Sequence, residues 1–195
     1  MRGHGLAQGE GSGVRADARD NRLRILTAAD EVFGQSPQAS TDAVAKLAGV
    51  GIATVFRHFP TKTELLEAVL TQRLERLRDQ ALTLASSDNA GRAFYMFFSR
   101  VVSESAVKLA IGEALIAAGG AAGEDARKAA AGLREAFGSL LAEAQRVGAV
   151  RRDAGLPEVY ALLIGASRGA TARHLEPEVR DRMLTLVYDG LRPAS

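Results

Sequence analysis

Apolar residues along most of this chain recur at intervals of three and four, the spacing of one helix face. Ile25, Ala29, Val32 and Phe33 fall at i, i+4, i+7 and i+8. Gly34 and Ser36-Pro37 end that first helix, because the residue before a proline avoids the α region. Ser40 or Thr41 suits the N-cap of a short second helix carrying Val44, Leu47 and Ala48. Gly49 closes it by taking the left-handed conformation. A third helix is predicted over about Ile52 to His58, stopped by Pro60.

Thr61-Lys62-Thr63-Glu64 reads as a capping box, in which the Thr61 hydroxyl accepts from the Glu64 amide and the carboxylate reaches back. It opens a long amphipathic helix with Leu65, Leu66, Val69, Leu70, Leu74 and Leu77 on its apolar face, broken at Ser86-Ser87-Asp88-Asn89. Phe94 to about Ala117 is strongly apolar and reads as two helices split near Ser103 to Ser105. Gly119, Gly120 and Gly123 mark a loop. Further helices are predicted over about Glu124 to Val147, Pro157 to Ala172 and Pro177 to Leu191. Proline at the first turn suits the last two. The final helix is expected to bury Val179, Met183, Leu186, Val187 and Leu191. No alternating β pattern competes, so the predicted fold is all-α.

Residues 1–17 are rich in glycine and nearly devoid of bulky apolar side chains, which predicts a disordered arm. Its Arg2, His4 and Arg15 could touch an acidic surface, although a solvated tail is the simpler reading. The expected organisation is this arm, a three-helix unit over 18–64, and a longer helical domain over 65–195.

Composition acts mainly by exclusion. The 195 residues hold 25 Lys and Arg against 23 Asp and Glu, a formal charge of +2. Any role on DNA must therefore rest on where cations stand, not on bulk charge. The absence of cysteine excludes disulfides, thiolate metal sites and cysteine nucleophiles. The N-terminal MRGHGLAQGEGSG lacks a signal peptide's apolar core. No run reaches the roughly 18 apolar residues of a membrane span. A cytoplasmic protein without membrane association is expected. His4, His58 and His174 are scattered, and no HExxH, GxSxG or P-loop pattern occurs. The glycines at 119–123 follow a helix instead of a strand, unlike a dinucleotide loop. An enzyme is not expected, nor any catalytic residue, metal ligand or cofactor.

Two short helices joined by a tight glycine turn, with a small residue where they cross, make a helix-turn-helix. Ala45 permits close approach, Gly49 makes the turn, and Val50 and Val55 anchor the pair to the first helix. Phe56 and Phe59 are expected in the core. Gly51, Ile52, Ala53, Thr54, Arg57 and His58 remain to face outward. Small residues at the start of the third helix let its backbone enter a major groove about 12 Å wide, where Arg57 reaches a phosphate or a guanine edge.

Ile25 to Leu70, above all AGVGIATVFRHFPTKTELLEAV, resembles the DNA-binding domain of the tetracycline-repressor (TetR) family of bacterial regulators. The likeness lies in the glycine-valine turn, the Thr-Val-Phe-x-His-Phe core and the lysine opening the fourth helix. It covers about a quarter of the chain. The resemblance implies an obligate homodimer on a palindromic double-stranded DNA operator, with the third helix in the groove. It further implies a phosphate contact from Thr41, groove-facing Ile52, Ala53 and Thr54, a base or backbone contact from Arg57, and a phosphate contact from Lys62. The sequence departs from the family at Gly51, where serine is common, at Phe56, where tyrosine is usual, and at Ser36-Pro37.

The stripe Phe94-Tyr95-Met96-Phe97-Phe98 reads as buried core or as one wall of a small-molecule pocket. Candidate ligand-binding residues are Phe94, Tyr95, Phe97, Phe98, Ser103, Glu113 and Arg168. The expected role is a repressor released by a small-molecule effector. Small residues at Gly165, Ala166, Gly169 and Ala170 permit a close helix contact, within the chain or, as the resemblance implies, across a dimer seam. The rival reading is a helical protein-interaction module without sequence-specific DNA binding.

Overall fold

A computed structural model describes residues 10–117, 120 and 123–193. The described residues form nine α-helices and no strand. They divide into two compact units between Val69 and Leu70.

The first unit holds α1 (Glu10–Gln35), α2 (Thr41–Ala48), α3 (Ile52–His58) and the opening turns of α4 (Lys62–Ala85). Residues 10–17, expected in a disordered arm, are helical. Once a helix exists, each added residue brings a hydrogen bond without a new nucleation cost, so α1 continues past its apolar face. Residues 1–9, with Arg2 and His4, lie outside the described residues. Ile25, Ala29 and Phe33 of α1, Val44 and Ala45 of α2, Val55 of α3, and Leu65, Leu66 and Val69 of α4 are buried together with Phe59. Most are apolar positions the helical period selects; Val32 is only half-buried, and two further apolar residues face out. Leu47 is 50% exposed and Phe56 is 45% exposed, so Phe56 is not core. Val55 and Phe59 stand four apart and take α3's inner face, which turns Phe56 outward beside Ile52 and Ala53.

The second unit is built around α5 (Ala90–Ser103), which lies against α7 (Glu124–Arg146) and α8 (Leu156–Ala172). Both α6 (Ser105–Ala117) and α9 (Pro177–Leu191) lie against α8. Parts of the glycine loop, 118–119 and 121–122, lie outside the described residues. Phe94 stacks on Phe137 at 5.6 Å between ring centroids, with Phe97 and Phe98 at 6.2 and 6.4 Å from the same ring. The split between α5 and α6 has a local cause. Ser103 Oγ donates to the Ser99 carbonyl at 2.9 Å, and Ser105 Oγ to the Val102 carbonyl at 2.6 Å. Such back-bonding competes with the helix's own ladder and bends it.

The last helix corrects the expected face. Leu184 and Leu191 are buried, and Met183, Val187 and Tyr188 pack on the same core. Val179 is 39% exposed and Leu186 is 74% exposed. Positions 184, 187, 188 and 191 trace one helical stripe, and Leu186 falls on the opposite side. Burial pushes the Tyr188 hydroxyl up to about 12, so it stays a neutral donor and bonds the Tyr95 carbonyl at 3.1 Å.

Candidate functional site

The helix-turn-helix is set by three local devices. Ser40, not Thr41, caps α2: its Oγ accepts from the Ala43 amide at 3.2 Å. Gly49 sits at φ 66°, ψ 34°, a left-handed turn that a Cβ strains although open space surrounds it. The Val50 amide then donates back to Ala45 at 3.1 Å. Gly51 heads α3 with extended backbone and no side-chain cap. At α4, Thr61 Oγ1 accepts from the Glu64 amide at 3.1 Å, as a capping box requires. The Glu64 carboxylate accepts from the Thr61 hydroxyl at 3.3 Å, in place of the backbone amide expected.

What α3 leaves outside is a narrow stripe. Gly51, Ile52, Ala53, Phe56 and Arg57 are exposed, whereas Thr54 and His58 are half-buried. From Ala43 to Thr63 the chain holds Lys46, Arg57 and Lys62 and no carboxylate. Lys46 pairs with Asp42 at 2.9 Å. Arg57 carries no hydrogen bond or ion pair to any described residue. Lys62 is held within the unit, its Nζ donating to the Gln38 carbonyl at 3.2 Å and lying 5.6 Å from the Phe33 ring centre. An ammonium has three donors, so two remain. Thr41 is half-buried at the first position of α2. Because Ser40 supplies the cap, the Thr41 hydroxyl is not spent on it. Among the outward residues, sequence reasoning missed Leu47 and Phe56. Their spacing from the buried sets 44, 45, 48 and 55, 59 carried the signal.

In the second unit, a half-open cavity of about 200 Å³ lies between helices. Its lining follows helical stripes: Phe97, Val101, Ser105 and Lys108 along α5 and α6, Leu133 and Phe137 on α7, and Tyr160, Leu163, Ile164, Ser167 and Arg168 on α8. Leu74 of α4 and Leu109 of α6 complete it. Of the residues expected to bind a ligand, Phe97 and Arg168 line this cavity. Phe94 and Phe98 are fully buried core. Tyr95 is occupied elsewhere, donating its hydroxyl to the Ala149 carbonyl at 2.8 Å. Ser103 and Glu113 line a separate, more open cavity of about 430 Å³ with His174 and Arg180. Ser105, Lys108, Phe137, Tyr160 and Ser167 escaped sequence reasoning, because a pocket forms where stripes of several helices converge. Desolvation lowers Lys108 to about 8; Glu104 opposes this and Arg73 adds to it.

A family model described as "Bacterial regulatory proteins, tetR family" matches residues 25–69. A second, "Transcriptional regulator SbtR-like, C-terminal domain", matches 89–193, more than half of the chain. The protein is a TetR-family transcriptional regulator.

The N-terminal TetR match spans the C-terminal part of α1, all of α2 and α3 and the start of α4, so this regulator carries the family's DNA-binding helix-turn-helix. The crystal structure of a TetR regulatory protein from Mycobacterium vanbaalenii is 35% identical, with TM-score 0.75, covering 92% of this chain and 99% of that one. SCO0520, a TetR regulator from Streptomyces coelicolor, is 30% identical with TM-score 0.72, covering 89% and 99%. Curated relatives match over about a third of this chain. The regulator SAR0097 of Staphylococcus aureus is 35% identical over 66 residues, 32% of this chain and 35% of its own length. TtgW of Pseudomonas putida is 45% identical over 60 residues, 30% of this chain. The chain thus spans about a third to a half of the curated relatives it matches. No helix of the described residues is long and apolar enough to cross a membrane.

Proposed function

We propose that this TetR regulator acts as a homodimer on a palindromic operator, represses there, and is released by a small-molecule effector held in the 200 Å³ cavity. The observation that carries the DNA reading is the exposed stripe of α3, with Arg57 as its one cation and no carboxylate beside it. Ile52 and Ala53 are the apolar partners suited to thymine methyl groups, and Arg57 the donor suited to a guanine edge or a phosphate. Gly51, Thr54 and His58 flank that contact. Thr41 and Lys62 supply phosphate contacts at the starts of α2 and α4, where helix N-termini favour an anion.

Two α3 helices in successive major grooves must stand about 34–36 Å apart. The helix α4 begins in the first unit and contributes Leu74 to the cavity of the second. An effector there tilts α4 and changes that spacing. Its leverage is its differential affinity for the two states, typically about 1–3 kcal/mol of coupling. Selection of bound sequences from random duplex DNA tests the reading. The expected product is a palindrome with half-sites one helical turn apart; salt-insensitive binding, or none, favours an interaction module instead.

Lys62→Ala is expected to weaken binding about evenly on all operator variants. It should also flatten the salt dependence, with the slope of log K against log salt falling by about 0.9 per half-site. Affinity measured across a salt series checks this. Since Lys62 also ties to Gln38, a loss of stability of roughly 0.5–1.5 kcal/mol accompanies it. An unchanged salt slope would leave Lys62 a structural tether only.

A further inference from the structure

The lining of the 200 Å³ cavity is one-sided in its chemistry. Its charged side chains are Lys108 and Arg168, and no Asp or Glu lines it. Ser167 is only 6% exposed, and its Oγ has no hydrogen-bond partner. A buried hydroxyl left unpaired costs on the order of 1–3 kcal/mol, which an acceptor in the cavity would recover once the Ser167 side chain turns its Oγ toward it. The neighbouring hydroxyl is already used: Ser105 Oγ bonds the Val102 carbonyl and lies 3.2 Å from both the Ser167 carbonyl and Thr171 Oγ1. The remaining walls are apolar and aromatic. The cavity thus offers two cations, a half-buried Lys108 and an exposed Arg168, beside hydroxyls that can donate, against mostly apolar walls.

We propose that this cavity takes an organic monoanion, a carboxylate on an apolar body about the size of one aromatic ring. Its oxygens face Lys108, Ser167 and Arg168, and its body lies against Phe97, Leu133 and Phe137. Volume sets the body: an apolar cavity of about 150 Å³ holds benzene, and 200 Å³ leaves room for one small polar group more. Charge sets the head. Lys108 loses hydration without gaining a carboxylate in the lining, so an anion beside it restores what burial removes. Glu104, the carboxylate that acts on Lys108, is itself paired with Arg100 at 2.8 Å. Arg73 and Arg168 add positive charge, and Tyr160, whose hydroxyl burial pushes up, stays neutral.

This assignment rests on the effector reading above and narrows it to one ligand class. The probes are benzoate, its neutral relative benzamide, and cationic benzylamine, titrated into the full chain by calorimetry and by thermal shift. Benzoate is expected to bind at least tenfold more tightly than benzamide, and benzylamine not at all. Lys108→Met is expected to abolish the preference for benzoate over benzamide. That variant removes a desolvated charge, so it should fold at least as well as the parent. Benzoate affinity should be flat from about pH 6, where its carboxylate is fully ionised, up to pH 8, and fall by up to tenfold per unit above it, as Lys108 gives up its proton near 8. Equal binding of benzoate and benzamide, an unaltered preference in Lys108→Met, or no binding of any probe would overturn the anion assignment. A mobility shift on the selected operator separates the two readings. Release by a neutral cavity-filling compound keeps the effector and ends the anion; benzoate bound through Lys108 without any change in DNA affinity does the reverse.

Discussion

Arg57→Ala is expected to cost operator binding about 1–3 kcal/mol per half-site and to relax base preference at one position in each half. The expectation rests on what the side chain is not doing. Lys62 bonds Gln38 and Lys46 pairs with Asp42, whereas Arg57 has no bond to any described residue and stands exposed on α3. Its removal should leave the melting temperature unchanged, so the loss belongs to the complex and not to the fold. Arg57→Lys should restore charge without the bidentate fork, recovering part of the affinity and little of the base preference. Affinity measured on a panel of single-base operator variants distinguishes the roles. Equal loss on every variant would make Arg57 a phosphate clamp with no part in reading sequence.

The same contrast shows what a one-dimensional pattern can carry. The elements were legible because each is specified locally: Gly49 by its turn, α4 by Thr61 and Glu64, the α5–α6 split by serines that bond back along the chain. Membership of the core was legible where apolar residues follow one helical stripe, as Ile25, Ala29 and Phe33 do. It failed where an apolar residue stands off the stripe. Phe56 and Leu186 are as hydrophobic as their buried neighbours, and only the angle between positions separates them. The cavity was least legible. Phe97 and Arg168 belong to it, but Lys108 and Ser167 enter only because α6 and α8 are brought together, a long-range fact that no local spacing encodes.

Exposed apolar surface is the ground for the remaining large effect. On α8, Ala161 and Gly165 are exposed and Gly169 is half-buried, four residues apart along one edge, while Ala166 faces the core. A Cβ added at Gly165 or Gly169 would meet nothing within 4 Å. Leu162 beside them is 44% exposed, and Leu186 on α9 is 74% exposed. Small residues in open space and uncovered leucines suit a second helix pair approaching closely; on the homodimer reading proposed above, a second copy of this chain would supply it by two-fold symmetry. Gly165→Arg should therefore act with opposite signs on fold and assembly. Within one chain it removes a helical glycine without a clash, worth about 0.5–1 kcal/mol of added helix stability. Across the proposed seam it would insert a long charged side chain where two backbones are to meet. The expected result is a monomer of undiminished helix content, seen by light scattering and circular dichroism. Its operator affinity should fall by roughly 10²–10⁴-fold, since two half-sites are no longer engaged by linked readers. Leu186→Glu should act in the same direction. A dimer that survives both substitutions with full affinity would place the seam on another face and leave Leu186 uncovered for some other reason.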